Sequence, residues 1–271
     1  MKDDAPLGVF DSGLGGLTVV RALRQTLPHE RIVYLGDTAR VPYGTKGPAT
    51  VVRYALACSR HLVSRGVKAL VVACNTVSAV APEQLRIELD IPVLDVIGPG
   101  ARAAVAATRS GRIGVLATAA TIASGAYPKA IAQISTRAEV VGLAAPLLVP
   151  LAEDGWVEGD VPRLVVQRYV EPLAKARVDV IVLGCTHYPL LRPIIEREVD
   201  ALAGPTVRVV DSAYATAADV GAFLMSRGLE RKNRNDTGGV HLLVTDTPRA
   251  FRDVASRFLG DAVGEVEQID L

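Results

Sequence analysis

No stretch of this chain reaches the roughly 18 uninterrupted apolar residues of a membrane-spanning helix. The opening Met1-Lys2-Asp3-Asp4-Ala5-Pro6 leads into a short strand without the apolar centre of a secretory signal. The expectation is a soluble, cytoplasmic protein with no membrane partner. Neither sign of charge is in surplus: 30 basic residues stand against 29 acidic ones, so no electrostatic footprint for nucleic acid is present. The one basic cluster, Arg231-Lys232-Asn233-Arg234, runs into Asp236-Thr237-Gly238-Gly239 and reads as a solvated loop. Cysteine is scarce, with three in 271 residues and no CxxC. That excludes a disulfide framework and argues against a metal site, leaving the thiols free for chemistry in a reducing compartment.

The turn Asp11-Ser12-Gly13-Leu14-Gly15-Gly16 lacks the Gly-Lys-Ser/Thr ending of a phosphate loop. Asp37 lies near the distance of a ribose-binding acid, but Thr18 stands where the third glycine of a dinucleotide fingerprint belongs. What remains is a strand-turn-helix junction whose glycines permit tight backbone geometry and expose amide N–H groups to a carboxylate or phosphate.

Two of the cysteines sit in matching surroundings. Val67-Lys68-Ala69-Leu70-Val71-Val72-Ala73-Cys74-Asn75-Thr76 and Val178-Asp179-Val180-Ile181-Val182-Leu183-Gly184-Cys185-Thr186-His187 each read as a buried parallel strand. Each strand delivers a thiol and small polar groups to its carboxyl end, where open α/β folds place ligands. The repetition extends further. Leu7-Gly8-Val9-Phe10-Asp11-Ser12 parallels Ile113-Gly114-Val115-Leu116-Ala117-Thr118, Val41-Pro42 parallels Val149-Pro150, and Pro92 to Asp95 parallels Val207 to Asp211. The paired positions lie roughly 110 residues apart, about one α/β domain length.

Strands ending near Phe10, Gly36, Ala73, Ile97, Ala117, Leu143, Gly184 and Asp211 alternate with helical periodicity. Gly66 caps a helix begun near Pro48, and Pro189 and Pro193 fit the first turns of a helix after the second cysteine. The predicted fold is α/β, with two similar domains, each a mostly parallel sheet flanked by helices and the active site in the cleft between them. Residues 1–97 plus 211–271 are expected to form the first domain, with Asp11 and Cys74; residues 98–210 form the second, with Cys185 and His187.

His187, two residues after Cys185, is placed to lower that thiol's pKa or relay its proton. Asp11 is the corresponding candidate beside Cys74, with anchoring of the glycine turn as its competing role. Cys58 lies in a helical segment without such neighbours and reads as packing.

Together, Asp11 to Val19, Asp37 through Tyr43-Gly44, Ala73-Cys74-Asn75-Thr76 and Gly184-Cys185-Thr186-His187-Tyr188-Pro189 resemble the glutamate racemases of the aspartate/glutamate racemase superfamily. The resemblance runs from about Leu7 to beyond Asp211 and is least distinctive after about Leu229. It implies cofactor-independent interconversion of L- and D-glutamate, supplying D-glutamate for peptidoglycan synthesis and hence cell-wall biogenesis and cell shape. It further implies that Cys74, assisted by Asp11, acts on D-glutamate and Cys185, assisted by His187, on L-glutamate. Contacts to the small-molecule substrate fall by the same resemblance to Asp11, Ser12, Tyr43, Gly44, Asn75, Thr76, Thr186 and His187. Thr118 and Thr121 are weaker additions, and Glu153 stands between an approach to His187 and a plain surface role. The expected assembly is a homodimer. A racemase of aspartate or a related dicarboxylate, and a binding or regulatory protein, stay open as alternatives.

Overall fold

A computed structural model describes residues 2–271, the side chains of Lys2 and Ala250 aside. The chain opens with β1 (Leu7–Asp11), α1 (Leu17–Thr26), β2 (Ile32–Gly36), α2 (Pro48–Ser64), β3 (Ala69–Val72), α3 (Asn75–Val80), α4 (Pro82–Glu88) and β4 (Val93–Asp95). It continues through α5 (Ile97–Ala107), β5 (Arg112–Ala117), α6 (Ala119–Ser124), α7 (Ala126–Ile134), β6 (Glu139–Ala144), α8 (Leu148–Asp154), α9 (Asp160–Lys175), β7 (Val180–Gly184), α10 (Arg192–Ala203) and β8 (Arg208–Asp211). The last elements are α11 (Ala213–Arg227), β9 (Val240–Val244), α12 (Pro248–Leu259) and β10 (Val266–Gln268). Among the described residues no helix is long and apolar enough to cross a membrane.

Two sheets form, one in the order β10-β9-β2-β1-β3-β4 and the other β6-β5-β7-β8. Every pairing is parallel. With β9 and β10 set aside, both sheets run second, first, third, fourth strand in their own chain order, which is the repeat seen in the sequence. The eight expected strands are all present, each ending close to its expected position. Strands β1, β2, β3 and β7 are buried at every residue. Helices cover both faces, so these runs need no polar alternation. Helix α11 returns the chain from the second sheet to the first, packing against α1 on one side and α5 on the other.

Three details differ from the sequence reading. The tail contributes two further parallel strands, β9 and β10, which extend the first sheet beyond β2. Pro189 lies in a separate 3-10 turn, Tyr188–Leu191, and only Pro193 opens α10. Arg231 is not solvated: it is 6% exposed, and its guanidinium donates to Asp4 Oδ1 and the His29 carbonyl, both at 3.0 Å, while pairing with Asp236 at 2.9 Å. The acidic partners come from the opening turn and from the far side of the same loop, a meeting that local composition does not reveal.

Candidate active site

The carboxyl ends of β1 and β3 in one sheet, and of β5 and β7 in the other, enclose a cavity of about 310 Å³. That size falls within the range, about 300–1,000 Å³, usual for small-molecule sites. Cys74 follows β3 and Cys185 follows β7, and both thiols line the cavity while remaining 5% and 6% exposed. Neither is in a disulfide. Ser12, Tyr43, Gly44, Asn75, Thr76, Thr186 and His187 line the same space. Val41-Pro42 and Val149-Pro150, the paired dipeptides, lie in its wall as well, and the Val41-Pro42 peptide is cis. No Lys or Arg contributes to this wall among the described residues.

Gly15 permits the two halves to meet. A Cβ there would lie 2.2 Å from Thr186 Oγ1 and 2.5 Å from His187 Nδ1, so the turn after β1 reaches the second cysteine's neighbours only without a side chain. Thr18, the residue that breaks the dinucleotide fingerprint, puts its hydroxyl 2.9 Å from the Gly15 carbonyl and 3.2 Å from that of Thr186. Gly44 plays a similar part, since a Cβ there would come within 2.8 Å of Thr118.

Asp11 is fully buried and lies behind the cavity wall. Its carboxylate accepts from the Gly13 N–H at 2.9 Å and from Thr186 Oγ1 at 3.5 Å, so the turn-anchoring role is the one its hydrogen bonds display. Burial raises its pKa, against the pull of His187 and of the Gly13 and Gly16 amides. The Cys74 thiol donates to Ser12 Oγ at 3.5 Å. Burial, then the charge of Asp11, pushes its pKa up to about 12, although Ser12 and the Val77 N–H draw it back.

The second thiol has a different setting. Cys185 Sγ is 3.8 Å from His187 Nδ1, and His187 Nε2 is 2.9 Å from Glu153 Oε1. Burial disfavours the imidazolium, but the hydrogen bonds to Cys185 and Glu153 outweigh it and raise the His187 pKa to about 10. The His187 ring thus lies between the Cys185 sulfur and the Glu153 carboxylate, placed to relay a proton to or from the thiol. Helix α12 closes this side. The Phe258 ring stands nearly perpendicular to His187 with centroids 5.3 Å apart, and the Arg257 guanidinium donates to the Glu153 carbonyl at 2.8 Å.

Polar groups complete the wall. Thr76 Oγ1 and Thr118 Oγ1 are 2.9 Å apart, and Thr118 is 3.0 Å from Thr121, so hydroxyls from both halves meet. Tyr43 donates to Asp37, whose carboxylate also accepts from Arg40 Nε at 2.9 Å and Thr245 Oγ1 at 2.8 Å. Asn75 Oδ1 accepts from the Tyr127 hydroxyl at 2.7 Å, while Asn75 Nδ2 has no partner among the described residues. A buried amide donor left unmatched costs about 1–3 kcal/mol, and a ligand oxygen would recover that energy. Cys58 lies outside the wall, buried beneath Arg40 at 3.5 Å, with its pKa raised by burial. Glu153 and Tyr127 are the groups the sequence left unassigned. Glu153 had a signal, since it follows Val149 by four residues on α8 and shares its face. Tyr127 had none.

Residues 17–220 match the sequence profile of the Asp/Glu/hydantoin racemase family. The chain belongs to that family. Racemases are isomerases, and the protein is an enzyme of that class. A glutamate racemase of Geobacter metallireducens is 51% identical over 98% of this chain and 96% of its own length. The structure of a glutamate racemase isoform from Bacillus anthracis is 36% identical, covers 98% of both chains and superposes with a TM-score of 0.92. A Francisella tularensis glutamate racemase in complex with D-glutamate, 35% identical and with 98% of both chains covered, superposes with a TM-score of 0.90. The racemase fold of two parallel-sheet α/β domains is therefore the fold of this chain.

Proposed function

We propose that the protein interconverts L- and D-glutamate without a cofactor, using Cys74 and Cys185 as two bases on opposite sides of the substrate. The observation that carries this reading is the pair of thiols in one cavity, each from the end of the third strand of its own sheet. The glutamate racemases among its relatives support glutamate as the substrate.

Inversion at Cα removes a proton from one face and returns one to the other. In the L-to-D direction Cys185 thiolate takes the Cα proton, and the bond's electron pair stays on the substrate as an enolate-like carbanion. Cys74 thiol then gives its proton to the opposite face, leaving Cys74 as thiolate and Cys185 as thiol; the reverse reaction starts from that state. The unequal settings fit these roles. The Cys185 sulfur has His187 Nδ1 at 3.8 Å to exchange a proton with, whereas burial and Asp11 favour the protonated form of Cys74. The carbanion needs preorganised donors in a site shielded from water, which Asn75, Thr76, Thr186 and Ser12 are placed to supply. A wall without Lys or Arg holds two carboxylates and an ammonium without fixing one enantiomer too firmly.

Production of D-glutamate for peptidoglycan synthesis, a cytoplasmic location and a homodimeric assembly belong to the same reading. The test is incubation of the purified protein with L-glutamate, and separately with L-aspartate, without pyridoxal phosphate and with a chelator present. D-glutamate should form and D-aspartate should not. A requirement for pyridoxal phosphate or a divalent metal would overturn the mechanism.

A further inference from the structure

Asn75 and Tyr127 belong to different halves of the molecule. Asn75 opens α3 directly after Cys74, while Tyr127 sits in the first turn of α7, after β5, and is 1% exposed. The phenol has one hydrogen-bond partner among the described residues, Asn75 Oδ1 at 2.7 Å. The ring packs against the helix at Gly100 and the strand end at Gly184, within an apolar cluster that includes Ile97, Ala101 and Val182. Burial raises its pKa. The hydroxyl proton is thus always present and has one acceptor to go to.

This settles which way the amide faces. Were the Asn75 side chain turned by 180°, Nδ2 would meet the phenol oxygen, the phenol proton would lose its acceptor, and a carbonyl oxygen would face the cavity. The observed orientation satisfies the phenol and leaves Nδ2 unpartnered in the wall beside Cys74. We propose that Tyr127 is a positioning residue that fixes the Asn75 amide with its N–H donor turned toward a substrate carboxylate. The inference rests on the glutamate-racemase reading, which supplies that carboxylate. It also makes this contact of the first half depend on a side chain of the second, so that the donor is correctly set only while the two halves are in register.

The test is a double-mutant cycle on the full chain, with kcat and KM measured for both enantiomers and thermal unfolding followed for each variant. Tyr127→Phe keeps the ring and its packing and removes only the hydroxyl. It should raise KM on the order of tenfold with kcat within about threefold of the parent, the size expected for one lost orienting hydrogen bond. Asn75→Ala should raise KM at least as much, and the double variant should match Asn75→Ala alone, because Tyr127 then has nothing to orient. A purely structural tyrosine would instead add its own loss to that of Asn75→Ala. Asn75→Asp reads the polarity without altering Tyr127: with acceptors at both ends it should bind glutamate more weakly than Asn75→Ala. Unchanged KM in Tyr127→Phe, additive losses, or an Asn75→Asp variant that binds like the parent would each overturn the inference. A parent protein that does not interconvert the glutamate enantiomers would instead overturn the functional reading beneath it.

Discussion

The three cysteines are chemically one residue type in three settings, and the settings predict different outcomes of the same substitution. Cys74→Ala and Cys185→Ala each remove a group assigned to proton transfer, so racemisation should fall by at least about 100-fold in either variant. Cys58→Ala deletes one buried sulfur outside the cavity and should leave turnover within a few-fold of the parent. Steady-state assays of all three, with circular dichroism to verify folding, decide this; a Cys58→Ala loss as deep as the others would break the pairing. The His187 side predicts a pH effect. The His187 pKa is raised to about 10 from an ordinary 6.5, so the imidazolium beside Cys185 persists at neutral pH and is lost as pH rises through that value. Its contribution to stability has the same sign, being complete below the ordinary value and lost on the alkaline side. Glu153→Gln removes the carboxylate partner at Nε2. The alkaline limb of kcat/KM should therefore move to lower pH, equally for both enantiomers because the equilibrium between them is fixed at unity. A limb that stays in place would show that Glu153 does not hold that proton.

At the scale of elements, function is concentrated where a strand ends and the next helix begins. Those junctions were legible because parallel strands are apolar throughout and stop abruptly at polar residues: Asp11-Ser12 after β1, Cys74-Asn75 near β3, Cys185-Thr186 after β7. Strands β9 and β10 were less legible. Val240 and His241 are not buried, and β10 is three residues with no buried position, so neither presents the continuous apolar run of a central strand. Helix α12 escaped for another reason. Its amphipathic pattern marks a buried face, but nothing local says that Phe258 ends against His187 or that Arg257 caps the Glu153 carbonyl. Asp11 had two readings: its bond to the Gly13 amide is local to the turn, whereas its bond from Thr186 depends on a contact between halves that the sequence does not place. The glycine turn gives the sharpest prediction at this scale. Gly15→Ala puts a methyl group 2.2 Å from Thr186 Oγ1 and 2.5 Å from His187 Nδ1. Relief requires the turn and the second half to separate, with a stability loss of about 1–3 kcal/mol. Because a displacement near 1 Å can cost about 100-fold in rate, activity should fall far more than stability. Thermal unfolding and kinetics measured on the same preparation check this, and a fully active Gly15→Ala enzyme would show that the halves need not touch there.

For the whole molecule, the repeated strand order β2-β1-β3-β4 and β6-β5-β7-β8 gives two units, each of which offers one thiol to a shared cavity. A two-base inversion needs that arrangement: groups on opposite faces of a planar carbanion are most simply supplied by two separate walls. The consequence is measurable with solvent label. Starting from pure L-glutamate in deuterated water, at early conversion, Cys185 removes the original proton and a deuterated Cys74 thiol delivers a deuteron to the other face. The first D-glutamate formed should carry deuterium at Cα. Unreacted L-glutamate should remain protonated, because any carbanion that returns to L receives its proton from Cys185, a buried thiol that has just acquired it and exchanges slowly within the intermediate's lifetime. A single base serving both faces would transfer the original proton to product, or scramble label into both enantiomers alike. Mass spectrometry of the separated enantiomers distinguishes the cases, and protonated D-glutamate as the main early product would refute the two-thiol mechanism even with racemase activity established.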